Sequence, residues 1–272
     1  MDYKVSGPIG IFDSGLGGLT VASAVRRLLP DETIIYFGDT AHLPYGDKSH
    51  EAILAYSKKI TDFLLEYNCG IILAACNTVS ATVWDDLDKY TGNRAITVNV
   101  IDPVVKRVSE LNSGTSIGVI GTKNTISSGA YPAKLKKLIP GAEVSSLATP
   151  LLVPMIEEGF VFDDISNSII KAYLSNKTLR EIQTLILGCT HYPIISDQIR
   201  KYYDNKVDVV DSAMIVAQYV RGMFDQQGYG GDQRSGGSKD RFFVSDLTEY
   251  FGKIAQTFFE KKITLEKVDI WS

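Results

Sequence analysis

Short β-branched apolar runs, several of them apolar on both faces, recur along the chain, separated by longer helix-like segments. This alternation limits the possible folds more than any other feature. The runs fall at 8–12, 33–37, 70–75, 95–101, 116–120, 184–187, 207–210 and 241–244. A strand that is apolar on both faces must be covered on both sides, which parallel sheets with helical crossovers achieve. Helices are expected at 19–29, 50–67, 104–111, 130–138, 164–173 and 212–224. The pattern predicts an α/β fold with parallel sheets, whose chemistry gathers at the carboxyl ends of the strands.

The strand ends repeat. Ile9-Gly10-Ile11-Phe12-Asp13-Ser14 has a counterpart in Ile117-Gly118-Val119-Ile120-Gly121-Thr122. Gly70-Ile71-Ile72-Leu73-Ala74-Ala75-Cys76-Asn77-Thr78 has one in Thr184-Leu185-Ile186-Leu187-Gly188-Cys189-Thr190-His191. Two pairs in the same order and at matched spacing imply two related α/β halves, each offering a cysteine at a strand end. Asp102-Pro103 is the expected crossing into the second half. Asp211-Ser212 follows a further apolar run with too long a stretch remaining for a tail, so the first half is expected to recover it. The expected division is 1–101 with 208–272 as one discontinuous domain and 102–207 as the other, related by a pseudo-twofold. The glycine-rich stretch 228–239 reads as a surface loop.

Composition narrows the function. The 272 residues carry 28 Lys+Arg against 32 Asp+Glu, a net charge of −4. That balance provides no electrostatic footprint for nucleic acid or an anionic membrane. No run approaches the roughly 20 apolar residues of a membrane span, and no signal peptide is recognisable, so a cytoplasmic protein is expected. Of the three cysteines, Cys69, Cys76 and Cys189, too few exist for a disulfide framework or a four-cysteine zinc site.

Cys69 only precedes Gly70 and reads as a core residue. Cys76 and Cys189 differ, because Asn77-Thr78 and Thr190-His191 place hydrogen-bonding and proton-handling groups directly after each thiol. A cysteine between a strand and a helix also sits near backbone N–H groups, a setting expected to lower its pKa. Inverting a stereocentre by proton transfer needs a base on one face of a carbon and an acid on the other. Two related halves closing on a substrate can present one such group each.

Asp13-Ser14-Gly15-Leu16-Gly17-Gly18, Pro44-Tyr45-Gly46, Cys76-Asn77-Thr78 and Gly188-Cys189-Thr190-His191-Tyr192-Pro193 together resemble the signature segments of the glutamate racemase family, within the aspartate/glutamate racemase superfamily. The likeness runs from about Ile9 to Asp211. It implies an isomerase that interconverts L- and D-glutamate without a cofactor or metal, supplying D-glutamate for peptidoglycan, with its active site in the cleft between the halves. On matching positions, Cys76 would be the base for D-glutamate and Cys189 the base for L-glutamate. Asp13 would assist Cys76 and His191 would assist Cys189. Glu157 would be a further acid near Cys189, with the adjacent Glu158 as the alternative. Asp13, Ser14, Pro44, Tyr45, Gly46, Asn77, Thr78, Thr122, Thr190 and His191 would bind substrate. A homodimer is implied. Some relatives carry an N-terminal extension linked to activation by a cell-wall precursor; with only about eight residues before the first strand here, that regulation is not expected.

The residues themselves leave other readings. Asp13 also fits a helix N-cap before the glycines. His42 reads as a loop residue, and His50 opens a helix without an assigned role. A dinucleotide fold would need glycine where Thr20 stands, and a Walker loop would need Gly-Lys-Ser/Thr where Gly18 precedes Leu19-Thr20. A thiol- or metal-binding regulator could use Cys76, Cys189 and His191, but lacks a fourth ligand or a C-x-x-C motif. Among enzymes, racemisation of aspartate or another amino acid is the nearest alternative.

Overall fold

Ile9–Asp13 (β1) is buried along its whole length and hydrogen-bonds in parallel with Ile34–Gly38 (β2) on one side and Ile71–Ala74 (β3) on the other. The computed structural model describes residues 7–111, 115–226, 240–259 and 262–272. The expected loop at 228–239 lies outside the described residues. Beyond β3 comes Ile96–Asn99 (β4). The second half opens with Ser116–Gly121 (β5), flanked by Glu143–Ala148 (β6) and Thr184–Gly188 (β7), with Asp208–Val210 (β8) beside β7. Late in the chain, Arg241–Val244 (β9) joins β2, and Leu265–Lys267 (β10) joins β9. The protein thus consists of two all-parallel α/β domains. One sheet runs β10-β9-β2-β1-β3-β4 and the other β6-β5-β7-β8.

Both sheets contain the same core order. β2-β1-β3-β4 and β6-β5-β7-β8 correspond strand for strand, pairing β1 with β5 and β3 with β7 as the sequence repeat requires. In each, the chain leaves the central strand to one side and returns to the other, creating a crevice at the strands' carboxyl ends. The crossing back was expected at 207–208. It comes later, because Asp208–Val210 still pairs with β7.

Period-two alternation sorts the strand side chains. Ile9 and Ile11 of β1, Ile71 and Leu73 of β3, Ile117 and Val119 of β5 and Ile186 of β7 share one central apolar cluster. It is completed by helices Leu19–Leu28, Ile101–Glu110, Ala130–Leu138 and Ser212–Gln226. The opposite faces feed two separate clusters. Phe12, Ile72, Ala74 and Cys76 join one, and Ile120, Leu185, Leu187 and Cys189 join the other. Both cleft cysteines therefore lie on the same relative face of their domains. Among the described residues, no helix is long and apolar enough to cross a membrane.

β6 and β10 were not expected from the sequence. Both are edge strands and only partly buried, so they need no continuous apolar run.

Candidate active site

The first crevice is built by two strand ends. After β1 the chain turns at Ser14-Gly15, and after β3 it passes Cys76, which stands directly before helix Asn77–Thr82. Cys76 is almost wholly buried, and its Sγ lies 3.5 Å from Ser14 Oγ. Burial first, and the Asp13 charge second, push the Cys76 thiol up to about 12. This reverses the expectation of a lowered value. The opposing hydrogen bonds, from Ser14 and the Val79 amide, are too few to offset desolvation.

The second crevice carries Cys189 just past β7. Its Sγ lies 3.7 Å from His191 Nδ1, and His191 Nε2 lies 2.9 Å from Glu157 Oε1. Burial disfavours a charged imidazole, but hydrogen bonds and charge from Cys189 and Glu157 outweigh it, holding His191 well above its ordinary value. Of the two adjacent acids, Glu157 makes this contact; it ends helix Leu152–Glu157, which leaves Glu158 as the capping residue beyond.

Asp13 is completely buried and does not line the cleft. Its carboxylate accepts from Gly15 N at 3.1 Å and from Thr190 Oγ1 at 3.4 Å. Burial raises its pKa above the ordinary aspartate value, against the His191 charge and the Gly18 and Gly15 amides. It does not cap the following helix, where Gly18 stands at the N-cap without a side-chain bond. Asp13 instead ties the glycine turn of the first domain to Thr190 of the second. Gly17 is required here, because a Cβ would stand 2.5 Å from both His191 Nδ1 and Thr190 Oγ1.

One cleft collects the remaining residues singled out by sequence: Ser14, Pro44, Tyr45, Gly46, Cys76, Asn77, Thr78, Thr122, Cys189, Thr190 and His191 all line it. Glu157, like Asp13, stands behind the lining. Thr78 and Thr122 Oγ1 atoms meet across the domains at 2.9 Å, with Thr125 Oγ1 3.0 Å from Thr122. Gly46 approaches Thr122 so closely that a Cβ would fall 2.8 Å from the threonine's Cβ. The Tyr45 hydroxyl is turned away, donating to buried Asp39 at 2.7 Å. His42, read from sequence as a plain loop residue, bonds the same carboxylate at 2.8 Å, and Ser245 donates to it at 2.7 Å. His50 lies 3.5 Å from Asp86 on the surface, away from the cleft.

The sequence reading missed Leu43, Asp47, Lys123, Thr149, Pro150, Val153 and Pro154, which complete the lining. Thr149 and Pro150 directly follow β6, the edge strand without an apolar signal. Lys123 Nζ bonds Asp47 Oδ1 at 3.0 Å across the rim, and Asn124 Nδ2 donates to the Tyr45 and Lys48 carbonyls beside it. Among the described residues, no three His, Cys, Asp or Glu side chains gather as a metal site.

The Asp/Glu/Hydantoin racemase family model matches residues 19–220. The glutamate racemase of Chlorobaculum parvum is 39% identical over 251 residues, covering 92% of each chain. The crystal structure of glutamate racemase from Francisella tularensis in complex with D-glutamate superimposes with a TM-score of 0.89 at 36% identity, covering 98% of this chain and 99% of that one. A glutamate racemase isoform from Bacillus anthracis gives a TM-score of 0.90 at 32% identity over 98% of both chains. With the repeated sheets, the paired strand-end thiols and these similarities together, the chain belongs to the Asp/Glu/hydantoin racemase family.

Proposed function

We propose that the chain is a glutamate racemase that interconverts L- and D-glutamate by two-base proton transfer, without a cofactor. One observation carries this reading: Cys76 and Cys189 open from equivalent strand ends onto a single cleft, each with its own partner. The glutamate assignment rests on the relatives, which are glutamate racemases at 39% and 36% identity over nearly the whole chain.

The electrostatics favour one starting state. Cys76, held up to about 12, is a neutral thiol and so an acid. Beside Cys189, a cationic His191 provides the positive partner that a thiolate base needs. In this state Cys189 takes the α-proton of L-glutamate, and Cys76 delivers its S–H proton to the opposite face. The product is D-glutamate, with the thiolate now on Cys76. D-glutamate consumption runs the same steps backwards. Asn77, Thr78, Thr122 and Thr190 supply donors for the carboxylate on which the carbanion's charge is delocalised. Asp13 and Glu157 act from behind, the first through Thr190 and the glycine turn, the second through His191.

The two lobes would be residues 1–101 with the C-terminal part, and the segment from 102 through β8. We propose that they hinge to admit substrate and exclude water. A cytoplasmic homodimer supplying D-glutamate for peptidoglycan fits this reading, and rescue of a D-glutamate auxotroph tests the cellular role. The decisive experiment is incubation in D2O with L-glutamate, and separately with L-aspartate, without pyridoxal phosphate. Deuterium at the α-carbon of glutamate together with D-glutamate formation is expected. Exchange into aspartate alone would assign a different substrate.

A further inference from the structure

Asn77 lines the cleft at the first turn after Cys76, yet only one end of its amide is engaged. Oδ1 accepts the Tyr131 hydroxyl at 2.7 Å. Nδ2 is buried and has no hydrogen-bond partner among the described residues. Tyr131 comes from the other domain, on helix Ala130–Leu138, and is itself 1% exposed. Its ring packs against the end of β7, since a Cβ on Gly188 would touch Tyr131 Cε2 at 3.4 Å. One side chain thus reaches from the strand end just before Cys189 to the residue after Cys76.

An asparagine amide is nearly symmetric in shape, and only its hydrogen bonds decide which end points where. Without a donor at Oδ1, the amide can turn over and present its oxygen to the cleft, which repels an anionic substrate. Burial and the neighbouring Cys189 charge keep the Tyr131 phenol protonated well above its ordinary range, so it remains a donor through neutral pH. A buried N–H left without an acceptor is costly, and the ligand of the cleft is its available partner.

We infer that Tyr131 is a positioning residue for the reaction: by donating to Asn77 Oδ1 it fixes the amide so that Nδ2 serves a carboxylate oxygen of the bound amino acid. This rests on the glutamate reading above. It also means that the donor is correctly set only while the two domains are together, because its orientation comes from the opposite domain.

The test is steady-state kinetics of Tyr131→Phe with L- and D-glutamate, alongside wild type, Asn77→Ala and the double variant. Losing the hydroxyl should raise KM for both enantiomers about tenfold, the worth of one such bond, with kcat changed by less. In the Asn77→Ala background, Tyr131→Phe should have no further effect. Replacing Tyr131 with p-aminophenylalanine, which keeps the ring and an N–H donor, should restore KM. An unchanged KM in Tyr131→Phe, or an equal loss in the Asn77→Ala background, overturns the inference. Should Tyr131→Phe fail to fold, the p-aminophenylalanine protein decides alone: a wild-type KM supports the role and a tenfold rise refutes it. A wild-type protein that does not turn over glutamate refutes the function itself, a result distinct from either.

Discussion

Glu157 Oε1 lies 2.9 Å from His191 Nε2, while the other ring nitrogen of His191 faces Cys189 Sγ at 3.7 Å. The imidazole is therefore clamped between a carboxylate and a thiol, with almost no solvent exposure. A chain of three groups from two segments sets the charge beside the Cys189 sulfur.

Replacing Glu157 by Gln keeps the shape and removes the charge. His191 is raised in the folded protein partly by Glu157, so its cation persists as pH rises past the ordinary value and is lost only at the higher, folded one. Without Glu157 that loss comes earlier. The alkaline limb of kcat/KM for L-glutamate should move down by about 1–2 pH units. In the proposed mechanism D-glutamate turnover begins at Cys76, so its kcat/KM should respond less. Initial-rate pH profiles in both directions measure this, and identical profiles for variant and wild type would contradict it.

Cys76→Ala should abolish racemisation while leaving part of the chemistry visible. Cys189 can still remove the α-proton of L-glutamate, but no acid waits on the opposite face. Net formation of D-glutamate should fall by at least about 10³-fold, while L-glutamate slowly acquires deuterium with retention of configuration. Cys189→Ala should show the mirror behaviour with D-glutamate. Proton NMR in D2O combined with chiral chromatography separates exchange from inversion.

The sequence revealed the repeat because both inner strands of each half are apolar on both faces, which is what burial between two helix layers demands. The thiols were legible for the same reason: they follow those strands. β6 was not, since an edge strand needs little apolar character, and Thr149 and Pro150 were lost with it. Asp39 was passed over as well. Its importance lies in contacts from Tyr45, His42 and Ser245, the last more than two hundred positions away, and no local pattern announces such a pairing. The thiol pKa was misjudged because a strand-to-helix junction suggests stabilising N–H groups, whereas the full burial of Cys76 is a tertiary property.

That burial has a measurable consequence. Folded Cys76 keeps its proton up to about 12, whereas the unfolded thiol loses it near 9.0. Between those values the folded state binds more protons, so this group's contribution to stability is complete below about pH 9 and declines as pH rises toward 12. Urea unfolding of wild type should lose stability across this window more steeply than Cys76→Ala. In the same protein, iodoacetamide at neutral pH should label Cys189, beside its imidazolium, well before Cys76. Peptide mass spectrometry resolves the two sites, and faster labelling of Cys76 would refute the assigned charge state.

Gly17 provides the most demanding structural test, because no side chain fits where two domains meet behind the site. A methyl group there would stand 2.5 Å from His191 Nδ1, 2.5 Å from Thr190 Oγ1 and 2.7 Å from His191 Cε1. His191 cannot simply retreat, since Glu157 holds its far nitrogen, and Thr190 is tied to Asp13. Gly17→Ala should therefore separate the glycine turn from the Cys189 segment. Overpacking of this kind costs about 1–3 kcal/mol, to be read from urea midpoints. Its kinetic signature is sharper than its effect on stability: kcat for L-glutamate should drop further than the stability loss explains, because the His191–Cys189 pair is displaced. The Cys76 side keeps its Ser14 contact, so Cys189→Ala combined with Gly17→Ala should still exchange the α-hydrogen of D-glutamate. Equal loss of exchange from both enantiomers would mean that the turn supports the whole cleft rather than the Cys189 side.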